Sequence, residues 1–73
     1  MTKEQLACTI GKNIARKCKE RKLSQKDLAE QSGLTEAGIS RYISGQRLPR
    51  LDILLKIADV LHCSLDYLLC GFE

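Results

Sequence analysis

The stretch from Ser24 to Gly45, SQKDLAEQSGLTEAGISRYISG, limits what this chain can fold into more than any other. Ser24 suits a helix N-cap, and Asp27 three residues on completes a reciprocal capping pattern, so a helix is predicted from Gln25. Leu28 and Ala29 fall on one face of it, with Gln25, Lys26, Glu30 and Gln31 on the other. Gly33 stands just past its last turn, where a left-handed residue ends a helix without strain only if it is glycine. Thr35 then caps a second helix whose Ile39, Tyr42 and Ile43 make an inward stripe at i, i+3, i+4. The outward face carries Glu36, Ala37, Ser40 and Arg41. Only the first and last of these are long, so the backbone can come close to a partner.

Two short helices joined at a glycine in this register resemble the Cro and phage-repressor class of DNA-binding domains, the XRE family. The matching positions are Gln25, Leu28, Ala29, Gly33, Leu34, Ile39 and Tyr42, followed by Gly45 and Pro49, and the likeness runs from about Ile10 to Gly71. A small residue at Ala29 lets the two helices cross closely, and Gly33 fixes their angle. The resemblance implies an all-α, compact five-helix domain of lambda-repressor type.

The rest of the chain fits that frame as one domain over residues 1–73. A first helix is predicted over about 3–21, opened by a Thr2–Gln5 capping pair, with Leu6, Ile10, Ile14 and Cys18 recurring on one face, widened by Ala7 and Ala15. Lys12, Arg16, Lys17, Lys19, Arg21 and Lys22 are expected on its solvent side, and Gly11 weakens its middle by about 1 kcal/mol relative to alanine. The two central helices are placed at 25–32 and 36–44. A loop over Gly45–Pro49, with Leu48 turned inward, leads to a fourth helix at 51–61. Leu51, Leu54, Leu55, Ala58 and Leu61 are expected on its inner face and Ile57 near the edge. His62 is read as a terminator that tolerates positive φ rather than as a ligand or a base. Ser64 caps a last helix at 65–69, which Gly71 ends.

Composition narrows the function. The net charge of +3 hides an asymmetry: residues 1–26 hold eight Lys/Arg against two acids, 27–50 three of each, and 51–73 one lysine against four acids. A basic front suits a polyanionic partner, although the same excess also serves as an ordinary solvated helix face. The four cysteines, Cys8, Cys18, Cys63 and Cys70, form no CxxC pair and match no common zinc spacing. They are read as small core hydrophobes kept as thiols. One histidine, no nucleophile–base set and no phosphate-cradling glycine loop argue against an enzyme, and no cofactor, metal or small-molecule ligand is expected. No apolar run reaches membrane-spanning length, and Met-Thr-Lys-Glu-Gln does not open a secretory signal, so a cytoplasmic protein away from membranes is expected.

By resemblance, the chain is expected to bind double-stranded DNA sequence-specifically as a transcriptional regulator, a repressor more than an activator. The second of the two central helices would enter the major groove and read bases with Thr35, Glu36, Ala37, Ser40 and Arg41. Gln25, Lys26, Ser44, Gln46, Arg47 and Arg50 would contact phosphates. The alternative is an antitoxin or anti-repressor module acting through another protein, which the carboxylate of Glu36 in the reading face keeps open. A homodimer on a palindromic operator is expected, with half-sites roughly 34 Å apart. Its contact is sought in the apolar end, Tyr67, Leu69, Cys70 and Phe72, which the base of the core also accounts for. The chain departs from the family where relatives carry an Arg and a Glu that pair the first helix with the reading helix. Here Cys18 and Ile43 stand there, an apolar exchange that leaves the fold intact, and both are expected buried and in contact.

Overall fold

The computed structural model describes residues 1–71. Those residues form five α-helices and no strand: α1 Lys3–Glu20, α2 Gln25–Ser32, α3 Glu36–Ser44, α4 Leu51–Leu61 and α5 Leu65–Cys70. Each start follows local chemistry. Thr2 and Gln5 cap α1 reciprocally, Ser24 and Asp27 cap α2 the same way, and the hydroxyls of Thr35 and Ser64 accept from the N–H groups of Gly38 and Tyr67, each at 3.0 Å. The stops are equally local. Gly33 ends α2 at φ 73°, and His62 ends α4 at φ 53°, the left-handed stop anticipated for it.

Helices α2 and α3 pack on each other, α1 supports α3 on one side and α5 on the other, and α4 closes the core against α2 and α5. Ile10, Ile14, Leu28, Ile39, Ile57, Leu61 and Leu68 are fully buried at the centre. Burying such a side chain is worth roughly 1.5–3 kcal/mol, so these seven hold the layers together. Cys18 is buried with them, but Ile43, expected inside as well, is only half-buried at the core margin. Burial pushes the Cys18 thiol up, and the neighbouring Cys63 pushes it the same way, so it stays protonated.

Several expectations are corrected. Of the four cysteines expected as core hydrophobes, Cys18 alone is buried; Cys63 is half-buried, and Cys8 and Cys70 are exposed. Leu51 and Leu55 do not face inward: they are 63% and 51% exposed, and Ile57, expected at the edge, is wholly buried. Asp52, Lys56 and Asp59 fall within about 60° of one another on α4, and the stripe opposite them, Leu54, Ile57, Ala58 and Leu61, is the one that packs inward. Lys17 does not lie on the solvent side. It is 6% exposed, with its ammonium 4.3 Å from the centre of the Tyr67 ring and 3.7 Å from the Glu20 carboxylate. An amphipathic stem and a cation–π contact let a lysine cover apolar surface in this way. Tyr67 is 5% exposed beneath it and so is not available as a surface contact. Asn13, also buried, donates from Nδ2 to the Leu68 carbonyl at 3.0 Å, satisfying an acceptor in the last turn of α5.

Candidate nucleic-acid interface

The N-terminus of α2 is fixed by the Ser24–Asp27 exchange. The Asp27 N–H donates to Ser24 Oγ, and the Ser24 N–H donates to Asp27 Oδ2, both at 3.0 Å. Those hydrogen bonds hold the Asp27 carboxyl below the usual carboxylate range, with the Ser24 backbone N–H as the largest cause. Gln25 and Lys26 occupy the first turn and are exposed. The N–H groups of that turn have no intrahelical partner and sit at the positive end of the helix dipole, which suits an anion.

The turn between α2 and α3 is tied from within. The Ser32 hydroxyl donates to the Leu28 carbonyl at 2.6 Å, and the Leu34 N–H donates to the Ala29 carbonyl at 2.9 Å. Leu28 and Ala29 are buried against α3, whose Ile39 is fully buried. That anchors the inner side of α3 and leaves Thr35, Glu36, Ala37, Ser40, Arg41 and Ser44 exposed along its outer side. Ala37 and Gly38 keep the helix slim at its first turn.

The end of α3 is held from two directions. The Arg41 carbonyl accepts from the Gln46 N–H at 3.0 Å and from the Ser44 hydroxyl at 3.1 Å. From behind, α1 lies directly on it. A Cβ at Gly11 would fall 2.5 Å from the Tyr42 carbonyl oxygen and closer still to that of Ile43. One turn earlier on α1, Cys8 presses on Gly45: a Cβ there would be 3.1 Å from Cys8 Sγ. Gly11 and Cys8 are positioning residues that the sequence reading missed. The available signal was a glycine in the middle of an otherwise well-formed helix. Beyond, Gln46, Arg47 and Arg50 are exposed, Leu48 is half-buried and Pro49 is buried. Arg50 Nε lies 3.5 Å from Asp52 Oδ1 with both side chains mostly in solvent, a pair worth about 1 kcal/mol at most.

The residues named from the sequence thus divide cleanly. Thr35, Glu36, Ala37, Ser40 and Arg41 are exposed along α3, while Gln25 and Lys26 are exposed in the first turn of α2 and Ser44, Gln46, Arg47 and Arg50 at and beyond the end of α3. The dimer candidates do not hold together: Tyr67 is in the core, Leu69 is half-buried, Cys70 is exposed, and Phe72 lies outside the described residues. Among the described residues, no group of His, Cys, Asp or Glu is placed to hold a metal ion, and no helix is long and apolar enough to cross a membrane.

Known proteins share this fold. The helix-turn-helix family model matches residues 14–68. An uncharacterized HTH-type transcriptional regulator of Bacillus subtilis, YqaE, is 40% identical over 62 residues, covering 85% of this chain and 53% of the relative. The cryptic phage CTXphi transcriptional repressor RstR of Vibrio cholerae is 36% identical over 62 residues, covering 85% and 54%. The chain therefore spans about half the length of these curated relatives. Among solved structures, the P22 c2 repressor in complex with a synthetic operator superposes with a TM-score of 0.80 at 32% identity, over 86% of this chain and 96% of that one.

Proposed function

Since the chain belongs to the helix-turn-helix family, we propose that it is a sequence-specific DNA-binding transcriptional regulator that acts as a repressor. The observation that carries this reading is the open face of α3, with its short side chains and the single long base Arg41, set between two flanks of phosphate-seeking groups. The P22 c2 match, to a repressor held on an operator, supports DNA as the ligand.

In this reading α3 enters the major groove by its N-terminal half. Arg41 donates two parallel hydrogen bonds to guanine O6 and N7, and Glu36 accepts from a cytosine amino group. Thr35, Ala37 and Ser40 complete the base contacts. Gln25 and Lys26 bind phosphate at the α2 N-terminus, and Gln46 and Arg47 bind it at the end of α3. The Ser44 hydroxyl must release the Arg41 carbonyl to donate to a phosphate, and Arg50 must exchange Asp52 for one. Both exchanges are cheap at an exposed surface.

One α3 reads only a few base pairs, so useful specificity requires two copies on a palindromic operator. The exposed pair Leu51 and Leu55, one turn apart on α4, is the apolar surface offered to the second copy. Selection of binding sites from random DNA tests the proposal. It should return two half-sites about one turn apart, each with a G·C pair. Failure to retain any DNA at low salt would remove this reading in favour of a protein-binding module.

A further inference from the structure

We infer that α1 belongs to the DNA-contacting surface, through Lys12 and Lys19, and joins the two phosphate-contacting flanks into one track. The inference rests on the DNA-binding reading above. Its basis is where α1 lies. At Gly11 the α1 backbone touches the Tyr42 and Ile43 carbonyls, and at Cys8 it touches the α3 C-cap, Gly45. Lys12 is the next residue after Gly11 and one turn beyond Cys8, roughly 100° round the helix from the contact with α3. It is exposed, on the side of α1 turned away from the buried Ile10 and Ile14. Lys19 lies on the same flank, roughly 80° round from Gly11. It sits in the turn that passes the chain to α2, its carbonyl accepting from the Lys22 N–H at 3.2 Å. Ser24 follows, then Gln25 and Lys26 at the start of α2.

So one lysine follows the α1 contact with the end of α3 and the other lies in the last turn of α1 before the start of α2, both on one exposed side of α1. Neither forms an ion pair with a carboxylate among the described residues, whereas Glu20 is taken by the buried Lys17. Two uncompensated cations on flexible stems, beside positions that would already face the sugar–phosphate backbone, fit phosphates and not bases. Arg16, between them, is turned further away, roughly 140° from the contact.

The test is the salt dependence of binding for Lys12→Gln, Lys19→Gln and Lys56→Gln, on operator and on scrambled DNA. Lys56 is an exposed lysine of α4 and removes the same charge from elsewhere. Each lost phosphate contact should lower the slope of log K against log salt by about 0.9, so the affinity ratio between 50 and 200 mM salt shrinks about 3.5-fold. Lys12→Gln and Lys19→Gln should each show this loss, alike on both DNAs, while Lys56→Gln keeps the wild-type slope. Melting curves of all three should match wild type, since the side chains are exposed. Wild-type slopes in the Lys12 and Lys19 variants, or an equal fall in the Lys56 variant, would overturn the inference. Absence of salt-dependent binding by the unaltered chain would instead sink the DNA-binding reading itself.

Discussion

Replacing Gly11 with alanine sets two opposed effects against each other, and the structure decides between them. In an isolated helix the change stabilises by about 1 kcal/mol. Here the new methyl would meet the Tyr42 carbonyl oxygen at 2.5 Å and the Ile43 carbonyl carbon at 2.9 Å, where ordinary contact begins near 3.4 Å. The obstacles are backbone atoms, which no rotamer change can move aside. Helices α1 and α3 would have to part by roughly 1 Å, and overpacking of this kind costs about 1–3 kcal/mol, with a backbone obstacle at the upper end. The expected net loss is therefore about 2 kcal/mol, or about 8–16 °C in Tm for a domain of this size. Thermal and urea unfolding followed by circular dichroism would measure it. A Gly11→Ala variant more stable than wild type would refute the close crossing and, with it, the support of α3 by α1.

Three further outcomes are expected. The Asp27 carboxyl sits below its ordinary range when folded, so the folded state binds fewer protons; its contribution is complete above the unfolded pKa and is lost as the pH falls through the folded one. Asp27→Asn should accordingly flatten the acid limb of a stability–pH profile below the ordinary carboxylate range, and an unchanged limb would count against the cap. His62→Gly should stabilise by about 0.5–1 kcal/mol in urea titrations, because the left-handed backbone at φ 53° strains any residue with a Cβ by about 1–2 kcal/mol, less the entropy glycine loses. Leu51→Glu with Leu55→Glu should leave the fold intact, since both side chains are exposed, but abolish a dimer in sedimentation on operator DNA; a dimer that persists would place the contact elsewhere.

Short-range chemistry was the legible part of this chain. The caps at Thr2, Ser24, Thr35 and Ser64 and the stops at Gly33 and His62 each depend on residues within one turn, and the structure has them where the pattern placed them. The outward face of α3 was legible for a related reason: Ile39, Tyr42 and Ile43 define an inner stripe, which leaves Glu36, Ala37, Ser40 and Arg41 outside. What escaped depends on partners far away in sequence. Asn13 and Lys17 look like surface residues until α5 is folded against α1, where Leu68 and Tyr67 meet them. The phase of α4 was legible in Asp52, Lys56 and Asp59, which share one face, but Leu51 and Leu55 beside them are apolar and drew the expected stripe off its centre. Gly11 announced only a weak helix; that α3 rests on it is a fact of tertiary packing.

The claim that α3 reads DNA sequence is tested most directly by comparing Arg41→Ala with Arg47→Ala on operator and scrambled DNA at two salt concentrations. Both side chains are exposed, so both variants should fold. Arg41→Ala should lower the ratio of operator to scrambled affinity by about 5–150-fold, the loss of one good base contact worth about 1–3 kcal/mol. Arg47→Ala should weaken both DNAs nearly alike and lower the salt slope by about one unit. If the two variants instead lose operator and scrambled binding in the same proportion, Arg41 meets only phosphate, and the account of α3 as the reading helix is contradicted at its centre.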